Sequence, residues 1–274
     1  MGNSPAMTLF VKLFEILQFQ AIEPQPFKAF HWACILLAFI CVGICCSVKL
    51  RNSEKQLKII LAAYAVPTLI LEILKQISWS ASIQNGVFVW DYQWYIFPFQ
   101  LCTTPLIVAM VCLFLKKNWL RTSLFAYISF ITILGSIAVM IVPSDAFVTD
   151  VLVNIHTTYL HFGSFVLSIY LVVSGNIKLN LKSLLKGIVV FIFFTCIAMS
   201  LNEIIYQSGI LNGETFNMFF ISPYFDCTLP VFNVIQKHVP HWLFVLSYIV
   251  ALSLGGTFIF LIEKKLSRIE IRHS

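Results

Sequence analysis

Charge is the scarcest commodity in this chain. Of 274 residues only 11% are Asp, Glu, Lys or Arg, against about 25% in ordinary soluble domains. That shortage excludes a soluble enzyme domain, a disordered chain and a coiled coil. Glycine and proline are also sparse, at 11 and 10 residues. No Gly/Ser/Pro linker divides the chain and no fixed-period repeat recurs, which leaves one membrane domain. The eight cysteines contain no C-x-x-C and no Cys/His cluster with zinc spacing, so neither a disulfide scaffold nor a metal site is expected, and no cofactor. Cys34, Cys41, Cys45, Cys46, Cys112 and Cys196 read as small apolar fillers. A charged start, an apolar core and an Ala-x-Ala exit do not occur together, so no cleavable signal peptide is expected. Nor does position 6 carry the Ser or Thr of a myristoylation signal.

What is abundant is apolar: 59% of residues, 26 of them Phe, for a mean hydropathy of +0.89. The fold class expected is all-α, a polytopic bundle of seven transmembrane helices. Windows long enough for about 30 Å of hydrocarbon fall near 29–48, 58–79, 95–115, 123–143, 151–174, 186–207 and 241–262. Residues 7–19 are too short to span and suit an interfacial helix. Basic residues set the orientation. Lys49, Arg51, Lys55 and Lys58, then Lys116, Lys117 and Arg121, then Lys178, Lys182 and Lys186, then Lys264, Lys265, Arg268 and Arg272 all fall on one side. The positive-inside rule places the N-terminus outside and the C-terminus in the cytoplasm. Residues 1–28 then form an extracytoplasmic or interfacial segment, 29–262 the membrane domain and 263–274 a cytoplasmic tail of a multi-pass cell-membrane protein. The net charge of +6 is spread over membrane-flanking loops, which argues against nucleic acid as a partner.

A charge at mid-bilayer costs at least about 2.5–3.5 kcal/mol, so each needs a partner or a task. Glu72, Lys75 and Gln76 share a face of the second helix at i, i+3, i+4, and Glu72 can simply pair with Lys75. Gln100, Cys102, Thr103 and Thr104 open the third, beside Pro98 and Pro105. Pro105 deprives the Leu101 carbonyl of its helical donor. The fifth carries His156 and a polar stripe of Asn154, Thr157, Thr158, His161, Ser164 and Ser168; His156 lies off that stripe, so His161 ranks first as working histidine. The stripe also suits helix packing. Asn202, Glu203 and Tyr206 share a face of the sixth. All these groups fall in the half of the bundle expected to face outward, which describes a buried site open to that side. A thiol beside a histidine can become a nucleophile for acyl transfer. The long, aromatic connection 208–240 reads as a lid or re-entrant cap.

Pro98-Phe99-Gln100-Leu101-Cys102, then Val142-Pro143-Ser144-Asp145, then the helix bearing His156 and His161, then Asn217-Met218-Phe219, resemble in order the bacterial YwaF-like membrane proteins, relatives of the transmembrane-protein-164 acyltransferases. A more distant likeness is to androgen-induced lipid hydrolases, where a threonine replaces the nucleophile. The resemblance spans roughly 58–262. It implies phospholipid acyl transfer or hydrolysis through an acyl-enzyme, with Cys102 as nucleophile, His161 as base, and membrane phospholipids or acyl lipids as partners. Many bacterial relatives read Pro-Leu-His-Leu-Cys, so Gln100 stands where they carry histidine. Glutamine can hold an oxyanion but not accept a proton, which leaves the base to His156 or His161. Gln100, Asn217 and His156 are the expected substrate contacts, and Glu72, Lys75, Asn202 and Glu203 the supporting polar network. The alternative reading is a small-solute or ion transporter with Glu72, Lys75, Glu203 and His161 as an intramembrane relay; a seven-helix receptor fits less well, for want of an output domain.

Overall fold

A computed structural model describes residues 11–12, 14–47, 53–84, 87–143 and 146–273, with side chains to 267. Its helices are α1 (Ala29–Cys45), α2 (Glu54–Ser80), α3 (Thr104–Phe114), α4 (Trp119–Ile141), α5 (Val151–Val173), α6 (Leu181–Gln207), α7 (Phe232–His238) and α8 (His241–His273). A hairpin of β1 (Ala81–Gln84) and β2 (Val87–Trp90) follows α2, paired Ala81 to Trp90 and Gln84 to Val87. Single 3-10 turns sit at Trp94–Ile96 and Met218–Phe220. Lys49, Arg51, Ser144 and Asp145 lie outside the described residues, as do the side chains of Arg268 and Arg272.

The chain is mostly helical, and among the described residues 5 helices are long and apolar enough to cross a membrane: α2, α4, α5, α6 and α8. α1 and α3 are shorter apolar helices. The second and sixth windows, interrupted by charge in the sequence, thus become unbroken helices of 27 residues each. The window at 95–115 does not: its continuous helix is the 11 residues of α3, about 16 Å long. Pro105 lies in the first turn of α3 and has no N–H to extend the helix backwards. The hairpin was not foreseen.

Polar caps explain why several helices start before their hydropathy windows. Ser53, Asn118, Asp150 and Asn180 each accept a hydrogen bond from the backbone N–H three residues on. Each cap stabilises its helix by about 1 kcal/mol. Hydropathy marks only the apolar stretch, whereas the cap fixes the first turn.

α4 lies at the centre. Its middle, Ile128–Thr132, is a π turn whose five residues are all buried. The Ser168 hydroxyl of α5 donates to the Ile128 carbonyl at 3.1 Å, and Ser129 donates to the Ser168 carbonyl at 3.2 Å. α6 and α8 approach the same helix through glycines. A Cβ on Gly187 would lie 2.9 Å from the Ala126 carbonyl, and one on Gly256 2.9 Å from the Phe130 carbonyl. Without a hydrophobic drive between helices in lipid, such backbone proximity and buried hydroxyls hold the bundle. The outer faces stay apolar and exposed, as with Leu36 and Phe39 of α1, Val189 and Phe193 of α6, and Leu254 and Phe258 of α8.

Both ends are pinned. At one, Arg121 of α4 is almost fully buried and pairs with Glu54 at the start of α2, with Nη2 2.9 Å from Oε2. At the other, Gln18 donates to the Ser78 carbonyl at 2.7 Å, and Ala21 N–H donates to the Thr149 carbonyl at 2.8 Å. These bonds clip the N-terminal segment to α2 and to the approach of α5. His31 of α1 is buried there. Its Nδ1 accepts from Phe27 N–H at 2.9 Å and its Nε2 donates to the Met140 carbonyl at 3.0 Å.

Candidate functional site

Between Phe97 and Thr103 the backbone abandons the helix and turns tightly on Gln100. The N–H groups of Thr103 and Thr104 donate to the Gln100 carbonyl at 3.0 and 3.2 Å. The Leu101 carbonyl, which Pro105 cannot serve, accepts the Thr104 hydroxyl at 2.7 Å. Thr104 in turn meets the buried Tyr127 hydroxyl at 2.6 Å. This satisfies the irregular backbone, as apolar surroundings demand. Cys102 sits in the break, with the Lys75 ammonium within electrostatic reach of its sulfur.

The break forms one wall of a cavity of about 860 Å³. α2 contributes Lys75 and Trp79, α5 contributes His156, Thr157 and His161, and the 208–240 connection contributes Asn217, Tyr224 and Asp226. Gln100, Cys102, His156, His161, Asn217 and Lys75 therefore share one space. Residues distant in sequence converge because the break, α2 and α5 meet where the connection folds back. Among the described residues no hydrogen bond joins the thiol to either imidazole. Catalytic contacts in ligand-free proteins are often this loose and tighten on binding.

Glu72 is the hub beside that cavity and is only 4% exposed. It accepts from Lys75 Nζ at 2.9 Å and from Gln76 Nε2 at 2.7 Å, and His156 Nε2 lies 2.8 Å from its Oε2. Gln76 also reaches the Ile96 carbonyl at 2.7 Å. A buried carboxylate persists only when several donors surround it, and here they come from two helices. The foreseen Glu72–Lys75 pair is present, but His156 joins it. His156 lies off the α5 stripe yet still faces the site, since the lining residues Val153, His156, Thr157, Leu160 and His161 recur at i, i+3, i+4, i+7 and i+8 on one face of α5, with the two histidines at its edges. His161 adjoins the Gly135 carbonyl as well as the cavity. Thr157 of the stripe lines the cavity too, whereas Asn154 exchanges hydrogen bonds with the Val148 backbone and Ser168 serves α4. Thr158 faces a separate apolar groove, lined also by Cys34, Cys41 and Cys45.

The connection folds into the bundle. Phe216, Met218, Phe219 and Ile221 have no exposed surface. Asn202 donates to the Met218 carbonyl at 3.0 Å and accepts from its N–H at 2.7 Å. Gln100 does the same one step along, donating to the Asn217 carbonyl at 3.0 Å and accepting from Phe219 N–H at 2.8 Å. Asn217 accepts from Ser222 N–H at 2.8 Å and donates to the Asp226 carbonyl at 3.1 Å. Gln100 and Asn217 thus spend their amides on shaping the loop. Phe219 and Phe220 both adopt φ 59°, a left-handed strain of about 1–3 kcal/mol each that persists only where neighbours over-determine it.

Glu203 does not join the network. It is exposed on α6 and accepts from Tyr224 Oη at 2.7 Å and from Gln207 Nε2 at 3.0 Å. That hydrogen bond holds the Tyr224 phenol above its ordinary pKa. Tyr206 stacks on Tyr224 with ring centroids 3.5 Å apart. Asn202 points inward instead, so the three residues do not share one face: Asn202 and Glu203 are adjacent and project about 100° apart. The relay of Glu72, Lys75, His161 and Glu203 is accordingly not assembled. Cys227 is buried, and burial pushes its thiol pKa up.

Sequence reasoning missed Gln236, which accepts from Cys227 N–H at 2.6 Å and donates to the Phe225 carbonyl at 3.0 Å. It also missed Glu214, which accepts from Trp94 N–H at 2.7 Å. Both are polar residues in a long connection, where no periodicity singles them out. Among the described residues no group of three His, Cys, Asp or Glu is placed to hold a metal ion.

These features define a multi-pass helical membrane protein with a polar, cysteine- and histidine-lined cavity that the 208–240 connection helps to line. The chain matches the TMEM164 family over residues 26–262 and belongs to that family. No curated protein and no solved structure matches it.

Proposed function

We propose that this protein is a membrane lipid acyltransferase or acyl hydrolase, working through an acyl-enzyme on Cys102. The observation that carries the reading is the convergence of Cys102, His156 and His161 on one cavity beside a broken helix. His161 takes the thiol proton as the thiolate attacks the ester carbonyl of a phospholipid. The carbon–oxygen bond to glycerol breaks, and the imidazolium returns the proton to the departing alkoxide. A second hydroxyl, from an acceptor lipid or water, then attacks the thioester with His161 as base, and the thiol is restored. Gln100 and Asn217 support the reading as the residues that hold the loop over the site, and His156 as a wall group fixed by Glu72. Asn202 supports the same loop. Bacterial YwaF-like proteins are the relatives that this activity would connect.

The accompanying topology is seven crossing segments, in which α1 and the half-helix α3 complete the five long helices. The N-terminus is outside and the tail cytoplasmic, in the cell membrane. Residues 29–262 form the membrane domain, between the segment 1–28 and the tail 263–274.

The test is turnover of a labelled phospholipid by the reconstituted full chain. Cys102→Ala abolishes release or transfer of the labelled acyl group, and His161→Ala lowers it by about 10²–10⁴-fold. Full turnover by a folded Cys102→Ala protein removes the cysteine from the chemistry.

A further inference from the structure

Lys75 has a geometry that a closed structural ion pair does not require. Its ammonium donates to Glu72 at 2.9 Å, yet its side chain keeps 12% exposure and lines the cavity that Cys102 lines. An ammonium has three donors, and the two oxygens of Glu72 can occupy at most two. Glu72 also has Gln76 and His156, so it stays partnered when Lys75 turns one N–H toward a ligand. Asp226 is the complementary group. It is exposed and lines the same cavity from the re-entrant loop, next to Tyr224 and Phe225. Its backbone carbonyl is engaged by Asn217, but no hydrogen bond or ion pair occupies its carboxylate among the described residues.

We infer that Lys75 and Asp226 are the headgroup-reading residues of this site, Lys75 holding a phosphodiester and Asp226 a headgroup ammonium, so that the cavity selects zwitterionic over anionic glycerophospholipids. The inference deepens the acyl-transfer reading and takes from it the placement of the ester at Cys102. In a zwitterionic glycerophospholipid the ester lies nearest the chains, the phosphate next and the ammonium outermost. Cys102 and Lys75 are both partly buried and Asp226 is exposed, which puts the ammonium partner outermost. The rings of Tyr224 and Phe225 line the cavity beside that carboxylate.

Binding tests this without turnover, using the full chain carrying Cys102→Ala in detergent. Short-chain lipids with identical acyl chains are titrated: a phosphatidylethanolamine, a phosphatidylglycerol and a diacylglycerol. The ethanolamine lipid binds tightest and the diacylglycerol weakest. Lys75→Met weakens both phospholipids about tenfold, the worth of a hydrogen bond to a charged group, and leaves the diacylglycerol unchanged, while Lys75→Arg preserves the order. Asp226→Asn weakens the ethanolamine lipid alone. Equal loss for all three lipids in Lys75→Met would make Lys75 a structural residue, and no loss would remove it from recognition. Displacement of the lipids by inorganic phosphate at matched concentration would make the site one for the free anion. Each of these results overturns the inference. Because no acyl transfer is read, absence of an acyl-enzyme leaves the binding result standing.

Discussion

Asn202→Leu is the perturbation whose outcome the geometry fixes most tightly. Leucine keeps nearly the volume of the side chain but removes both hydrogen bonds to Met218, whose N–H and carbonyl are buried on a fully covered residue. The carbonyl keeps the Ile221 N–H at 3.4 Å, so the Met218 N–H alone is stranded, at a cost of about 1–3 kcal/mol. The next two residues are held at φ 59° against their own preference. The penalty therefore falls on a segment already under strain and is relieved by local opening and not by global unfolding. Hydrogen exchange resolved by peptide is the assay. Amides around Met218 to Ile221 should exchange at least about fivefold faster, since every 1.4 kcal/mol is tenfold. Amides in the centre of α4 should be unaffected. Unchanged protection at Met218 would refute the claim that Asn202 pins the loop.

Other outcomes follow from single contacts. Gln100→His, which restores the residue common in bacterial relatives, should loosen the same loop, because one imidazole cannot both donate to Asn217 and accept from Phe219 in the amide's geometry; increased acyl turnover in that variant would contradict the positioning role. Gly187→Val should lower the melting temperature in detergent sharply, as its Cβ would meet the Ala126 backbone carbonyl at 2.9 Å, while Gly135→Ala, with nothing within 4 Å, should be tolerated. Arg121→Met should destabilise by less than about 1 kcal/mol through Glu54, since that carboxylate is exposed and regains water, and by about 0.5–1.5 kcal/mol through the hydrogen bond lost at the half-buried Leu115 carbonyl; thermal unfolding of Arg121→Met in detergent reads the sum. His31→Phe should cost about 1–3 kcal/mol by stranding the Met140 carbonyl and the Phe27 N–H, measured by denaturant titration.

Much of this molecule was legible in its residues because the bilayer constrains them. Apolar windows marked the long helices, and Pro98, Pro105 and the polar run at 100–104 marked an irregular segment. The same window average hid the length of that break: 97–103 is as apolar as a helix, and only the turn on Gln100 ends it. Helical phase ranked His161 first because it took the polar stripe as the site face of α5. The cavity face is rotated from that stripe, with His156 and His161 at its two edges, and Glu72 reaches across to His156. Glu203 was grouped with Asn202 by adjacency in sequence, where a step of about 100° per residue separates neighbours. The roles of Gln236 and Glu214 depend on a loop path that no local pattern encodes.

The most direct measurement is the intact mass of the purified full chain after incubation with phospholipid, beside Cys102→Ala. The account predicts one added acyl group on the parent, labile to hydroxylamine as a thioester is, and none on Cys102→Ala. An adduct equally present on both proteins, or absent from a parent that turns over phospholipid, would contradict it.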